Sequence, residues 1–199
     1  MILRSSPASP FGRKVKIAAA ILGLGGRLSV VDTDTMSPTD SIRRENPLGK
    51  IPTLLLDDTR TLYDSRVIVA YLDHLAGGAR LIPAETGARF DALKLEALAD
   101  GICDAALLQV YEGRFREAAT HSAKWLEHQA GKVERGLGSL EANPPSGPVT
   151  VGHVATACML GYLDLRFGGA WRKGQPKLEA WLATFAAAVP AFEATRVKG

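Results

Sequence analysis

The sequence predicts a small α/β domain followed by an all-helical one. Three observations carry this. Up to about residue 76, short β-type runs alternate with short helical ones; after residue 87 the apolar residues recur at helical spacing throughout; and Gly77-Gly78, Pro83 and Gly87 punctuate the stretch between. The expected boundaries are 1–76 for the α/β domain, 77–87 for a linker and 88–199 for the helical domain.

Ile2-Leu3-Arg4 is a brief strand. Arg13 to Leu24 sets Val15, Ala18, Ala19 and Leu22 at helical spacing. Gly23-Leu24-Gly25-Gly26 then reads as a helix C-cap and turn, since it lacks the third glycine of a dinucleotide fingerprint. Leu28 to Val31 and Thr53 to Leu56 read as strands with a helix between them, and Arg60 to Tyr63 as another after the Asp57-Asp58-Thr59 turn. Ser65 to Leu75 returns to helix. The order β-α-β-(helix)-β-β-α implies a mixed sheet with helices packed on it. Beyond the linker, Leu95, Leu98, Ile102 and Ala105 stripe a long helix that begins near Ala88. Ala123 to Leu140 is a second helix, closed by Asn143-Pro144-Pro145. Thr150 to Phe167 is a third, strongly apolar one, and Lys177 to Val189 a fourth.

At 199 residues and 21.2 kDa the chain can bury about 70% of its unfolded surface, so no disulfide or metal is needed to hold it. The net charge of +3 is spread evenly, with ten basic against eight acidic side chains in residues 1–76. Without a basic domain or tail, nucleic acid is not an expected partner. The longest uncharged apolar stretch, Ile17 to Gly26, is far too short to span a membrane. Residues 1–26 imitate a signal peptide only loosely, because their basic residues stand among Pro7, Pro10 and Phe11 and their apolar run has helical periodicity. There is no Met-Gly myristoylation start, and the Val-Lys-Gly ending is no prenylation box. Two distant cysteines, Cys103 and Cys158, suit a reducing cytoplasm.

Several chemistries fall away. His121 and His128, seven residues apart on one expected helix face, would stand roughly 10 Å apart, too far to share a zinc ion. No EF-hand loop, Walker loop or Gly-x-Ser-x-Gly elbow occurs, and no metal is expected. What remains is a set of helix starts. Ser9-Pro10 opens the first helix, with Ser9 at the N-cap and Pro10 at N1, where an anion is favoured. Asp64-Ser65 opens another helix in the same way. Between them Asn46-Pro-Leu-Gly-Lys-Ile-Pro52 leads into a strand. Capping alone would account for each serine taken singly.

Ser-Pro-Phe-Gly-Arg-Lys-Val (9–15), Asn-Pro-Leu-Gly-Lys-Ile-Pro (46–52) and Asp-Ser (64–65), in this order, resemble the glutathione-binding domain of cytosolic glutathione transferases. The likeness covers nearly the whole chain. Lys94-Leu-Glu-Ala-Leu-Ala-Asp-Gly101 and Gly161-Tyr-Leu-Asp-Leu-Arg166 are similar to the small bacterial, YibF-type group of transferase-like proteins. The resemblance implies the glutathione transferase fold, an α/β thioredoxin-like domain followed by an all-α helical bundle, in a cytoplasmic homodimer with glutathione as co-substrate.

By the same resemblance, Ser9 is the thiol-activating residue, with Ser5 and Ser6 the next candidates, and Phe11 lies in the glutathione site. Ile51-Pro52 matches a cis-proline whose preceding residue pairs with the glutathione backbone. Asp64 and Ser65 match the pair that holds the γ-glutamyl ammonium and carboxylate. Lys50 corresponds to a lysine that in some branches reaches the glycyl carboxylate; a solvated loop lysine is the alternative. Asp100 and Asp104 are like charges one helical turn apart, either solvated or facing a cation, for which Arg13 and the glutathione ammonium are candidates. Leu107, Tyr111 and Phe115 either line an apolar pocket for the electrophile or pack in the core. One departure stands out: the family's buried central helix commonly opens with Ser/Thr-x-x-Asp, whereas here the box is Thr150-Val-Gly-His153, which weakens the cap by about 1 kcal/mol. The expected activity is attack of glutathione thiolate on a small apolar electrophile. A non-catalytic glutathione-binding or scaffold protein of the same fold is the alternative. Thiol–disulfide exchange is disfavoured because residues 1–76 contain no cysteine.

Overall fold

The computed structural model describes residues 1–197. Lys198 and Gly199, the last positions of the expected helical domain and of the Val-Lys-Gly ending, lie outside the described residues. Strands β1 (Ile2–Ser5), β2 (Ser29–Asp32), β3 (Thr53–Leu55) and β4 (Thr61–Leu62) form a sheet of order β2-β1-β3-β4. β2 runs parallel to β1, so the chain must cross over between them, and helix α1 (Pro10–Ile21) is that crossover. β3 and β4 are antiparallel neighbours joined by the expected turn, where Thr59 adopts φ 72°. A one-turn helix, α2 (Ile42–Glu45), precedes β3, and α3 (Ser65–Leu75) follows β4. This is the thioredoxin-like arrangement.

Helix α1 starts three residues before its apolar periodicity does, because Ser9 and Pro10 set its beginning. It ends at Ile21 because Gly23 turns left-handed (φ 74°) and the amides of Gly23 and Leu24 return to the carbonyls of Ala20 and Ala19. The second region is helical: α4 (Thr86–Phe115), α5 (Ala123–Ala142), α6 (Val151–Phe167), α7 (Pro176–Ala188) and a one-turn α8 (Ala191–Ala194). α4 begins two residues before Ala88, since the Glu85 carboxylate accepts from the amides of Gly87 and Ala88 at 2.7 and 2.6 Å. α7 is capped from another helix, the Glu141 carboxylate of α5 accepting from the amides of Lys177 and Leu178. His121 precedes α5 and therefore shares no helix face with His128. α6 is buried along Val151–Leu160 and joins a single apolar core that runs from Leu3 and Leu54 of the sheet to Leu178 and Phe192.

The two regions are tied by polar contacts that periodicity does not reveal. Buried Asp73 of α3 accepts from the amides of Arg80 and Leu81, and the Leu81 carbonyl accepts from Val151 at the start of α6. The Arg80 guanidinium donates to the last carbonyls of α1. Deeper, the Lys14 ammonium, 1% exposed, lies between α1 and α4 and donates to Glu96 (2.9 Å) and to both oxygens of Asp100 (2.9 and 2.8 Å). Burial opposes its charge, but the two carboxylates outweigh burial and hold the Lys14 pKa above its usual value. Burial pushes the Glu96 carboxyl up, with Lys14 pulling it back.

At the start of α6 the Thr150 amide donates to His153 Nδ1 at 3.3 Å, and the Thr150 hydroxyl meets the same nitrogen at 2.9 Å. Nδ1 accepts the amide only in neutral imidazole, whose proton then sits on Nε2, a buried atom with no partner among the described residues. Burial lowers the His153 pKa.

Two outcomes follow from these contacts. Lys14→Met leaves two buried carboxylates without their cation and should lower stability by about 3–5 kcal/mol, read from urea denaturation. Glu96→Gln keeps the Lys14–Asp100 pair matched and should stay close to wild type. His153 carries a folded pKa below its unfolded value of about 6.5, so the unfolded chain takes up the proton first. Stability should therefore fall as pH drops below about 6.5, by no more than about 1.4 kcal/mol per unit for this one proton. His153→Asn should remove that slope from the dependence of Tm on pH.

Candidate functional site

Strand directions bring the sequence-distant segments together. The end of β1 lies beside the start of β3 (Arg4 opposite Thr53), and the end of β4 lies beside the same start (Leu62 opposite Leu54). Ser6–Ser9, Ile51-Pro52 and Tyr63–Ser65 therefore leave the sheet at one edge. The starts of α1 and α3 lie at that edge, with their unpaired first-turn amides.

Ser9 is half-buried at the α1 N-cap, and its Oγ accepts from the Gly12 amide at 3.0 Å. The oxygen is thus committed as an acceptor while its proton stays available for donation. Gly12 is required here, because a Cβ would stand 2.0 Å from Ser5 Oγ. Ser5 is fully buried against that glycine and so is removed from the open edge; Ser6 is half-buried in the turn. Phe11 is half-buried and packs against the core.

The 46–52 loop is shaped from inside. Asn46, 1% exposed, donates to the Lys50 carbonyl and to Thr53 Oγ1 and accepts from the Leu48 amide. The Ile51-Pro52 bond is cis, and so is Tyr63-Asp64. The Lys50 side chain is exposed. Beneath the loop, buried Arg4 of β1 donates to Thr33, Ser41 and Glu45 and pairs with Asp40, fastening α2 to the sheet. Sequence reasoning passed over this arginine, whose signal was its place inside an apolar strand.

At the start of α3 the Asp64 carboxylate accepts from the Arg66 amide at 3.0 Å, while Ser65 is 2% exposed. Asp100 comes close to this end through Arg66 Nε at 3.6 Å. It is not a solvated charge, and Arg13 is not its partner: the cation is Lys14, one residue along α1 and so about 100° around the helix. The signal was there, since Lys14 stands four residues before Ala18 on the apolar stripe. Asp104 is exposed; desolvation and the Asp100 charge raise its pKa, and Arg66 and Lys50 oppose this.

A cavity of about 200 Å³ opens beside Ser9 and Pro10. Its walls are Arg13, Cys158 and Tyr162, with Leu165, Phe192 and Arg196 further round. Leu107, Tyr111 and Phe115 do not line it; Tyr111 and Phe115 instead meet edge to face, 5.1 Å between ring centres. Sequence reasoning missed that α6 and the C-terminal segment would form this wall. Cys158 sits in it, yet burial pushes its thiol up to about 12, so it stays protonated and a poor nucleophile. Among the described residues no cluster of three His, Cys, Asp or Glu could hold a metal ion, and no helix is long and apolar enough to cross a membrane.

Comparison with known proteins gives the family. Residues 8–75 match the glutathione S-transferase N-terminal domain family and residues 123–184 the C-terminal domain family. The chain is 32% identical over 184 residues to the uncharacterized GST-like protein YibF of Escherichia coli, covering 89% of this chain and 90% of that protein. A glutathione transferase family member from Pseudomonas fluorescens, solved with bound glutathione, superposes with a TM-score of 0.93 at 39% identity, over 100% of this chain and 99% of its own. The same relative has been solved with S-(propanoic acid)-glutathione, at a TM-score of 0.89 over 100% of both chains. A glutathione S-transferase from Methylobacillus flagellatus with glutathione bound gives 0.90 at 37% identity, over 99% of each chain. With a capped helix start, a cis-proline and a second helix start gathered at one sheet edge, and relatives of this closeness over its full length, the chain belongs to the glutathione transferase family.

Proposed function

We propose that the protein is a serine-type glutathione transferase that activates glutathione at Ser9 and transfers its thiolate to a small electrophile. The observation that carries this is the Ser9 hydroxyl: its oxygen accepts from Gly12, which leaves the O–H to donate to the sulfur at the positive end of α1. A thiol near 8.5 falls to roughly 3.5–7.5 in such surroundings. A two-unit drop corresponds to about 2.7 kcal/mol in favour of thiolate. The rate gain comes from thiolate fraction and positioning.

In this reading Ser65 and the α3 amides left free by Asp64 take the γ-glutamyl carboxylate, while Asp64 takes the ammonium, with the buried Asp100 charge behind Arg66. Ile51, held next to Pro52, pairs its backbone with the cysteinyl amide as an added strand would. Lys50 faces the glycyl carboxylate, and Phe11 flanks the site. The glutathione held by the Pseudomonas fluorescens and Methylobacillus flagellatus relatives supports the ligand; the S-propanoic acid conjugate in the former is the kind of thioether such a transfer yields. A cytoplasmic homodimer belongs to the same proposal, supported by two free buried thiols and by exposed Tyr63, Val67 and Phe90 as apolar surface for a second copy.

Ser65→Ala removes a hydrogen bond to a charged group, typically worth ~1.5–3 kcal/mol. Calorimetry should show glutathione affinity weakened about tenfold or more, and unchanged affinity would remove the pair from the site. Ser9→Ala should raise the pKa of the bound thiol and cut turnover while leaving affinity nearly intact, at about 1 kcal/mol of stability for the lost cap. Thiolate absorbance against pH on both proteins decides this. Coincident titrations with activity retained would move activation to Ser6 or to backbone amides. A scaffold protein would bind glutathione with an unperturbed thiol and show no turnover in either form.

A further inference from the structure

Arg13 is 7% exposed, and no carboxylate pairs with it among the described residues. Its Nε donates to Thr195 Oγ1 at 3.2 Å and its Nη2 to the Phe192 carbonyl, while the guanidinium lies over the Phe192 ring, 4.1 Å from its centre. Nη1 is the remaining nitrogen. It points at Gly161 of α6, where a Cβ would stand 2.4 Å away, so only glycine leaves room for it. Burial lowers the Arg13 pKa, and the Glu193 and Asp164 charges, neither in contact with the guanidinium, oppose this only in part. A buried guanidinium paired only with neutral acceptors is a costly arrangement, which an oxyanion on the remaining nitrogen would offset.

Both Arg13 and Gly161 line the cavity that touches Ser9. The other charges of that wall are already balanced. Asp164 is held by the Trp171 indole N–H at 2.8 Å and by Arg172, and Arg196 pairs with Glu193 at 3.3 Å. Among the described residues the cavity therefore presents a guanidinium with no ion-pair partner in contact, a single helical turn from the serine that faces the sulfur.

We propose that this cavity is a carboxylate subsite, and that the electrophile it selects is a short organic acid with a leaving group, not an apolar molecule. The proposal rests on the reading of Ser9 as the thiolate site and deepens it by naming the substrate class. The step is a displacement. The sulfur lone pair forms a C–S bond at the carbon next to the carboxylate, the halide departs with the pair of the broken bond, and the thiol proton has already passed to solvent. Arg13 Nη1 holds the carboxylate and draws down the repulsion between two anions as they meet.

Iodoacetate and iodoacetamide share the reacting carbon and leaving group and differ in charge. The experiment measures kcat/KM for each with glutathione, divided by its own spontaneous rate. The expected result is an enhancement for iodoacetate about tenfold or more above that for iodoacetamide, the worth of one charge-assisted hydrogen bond. Arg13→Gln should reduce the iodoacetate enhancement far more than the iodoacetamide one, and Arg13→Lys should recover part of the difference. The wild-type ratio stands without any variant, so poor folding of Arg13→Gln does not rescue the idea. Equal enhancements, or none with either compound, overturn it, while the transferase reading is judged separately by the thiolate titration of wild type and Ser9→Ala. If Arg13→Gln weakens glutathione binding in calorimetry and lowers both rates equally, Arg13 serves glutathione instead and the subsite is overturned.

Discussion

One ammonium, buried between two helices that belong to different halves of the chain, sets the geometry on which the rest depends. Lys14 has no water to fall back on, so Glu96 and Asp100 must be where they are, and with them α4 must lie against α1 at one register. The same helix carries Ser9 at its start and Arg13 one residue before the lysine. Fixing the rotation of α1 through Lys14 thus fixes where the Ser9 hydroxyl and the Arg13 guanidinium point. An apolar residue there would pack as densely but would set the angle less strictly, because hydrophobic contact has little directionality.

The sheet supplies the second half of the geometry. Three segments scattered over some sixty residues reach the same edge because β1 and β4 end where β3 begins. That edge offers features of different character: the first-turn amides of two helices, a loop backbone ahead of a cis-proline, and the Ser9 hydroxyl. Buried polar side chains hold the irregular parts in place. Asn46 shapes the loop before Pro52, and Arg4 gathers Asp40, Ser41 and Glu45 beneath it.

The elements were legible because period and punctuation are local. Strands near Ile2, Ser29, Thr53 and Thr61 and the long helices fell within a few residues of expectation, and the departures trace to caps such as Glu85 and to the left-handed Gly23. The three segments that gather at the sheet edge were legible through their resemblance and their order. What could not be read was pairing across the fold. Arg13 and Lys14 are adjacent basic residues, and which of them turns inward to Asp100 depends on a helix rotation set by the partner helix. Likewise Tyr111 and Tyr162 have the same composition of cues, and only the placement of α6 decides which one reaches the cavity.

The linker has a consequence for traffic through the site. Asp73 grips Arg80 and Leu81, Arg80 grips the end of α1, and Leu81 grips the start of α6, so the connection between the halves is a splint and not a hinge. Wide opening of the cleft would have to break several of these bonds and expose Lys14 at once. A shorter tie borders the cavity itself: the one-turn α8 segment, whose Phe192 lines the wall, is held by the Arg13 contacts to Phe192 and Thr195. Releasing that short segment breaks far fewer contacts than parting the two halves, so the cavity wall can loosen at α8 while the floor and rear wall keep their shape.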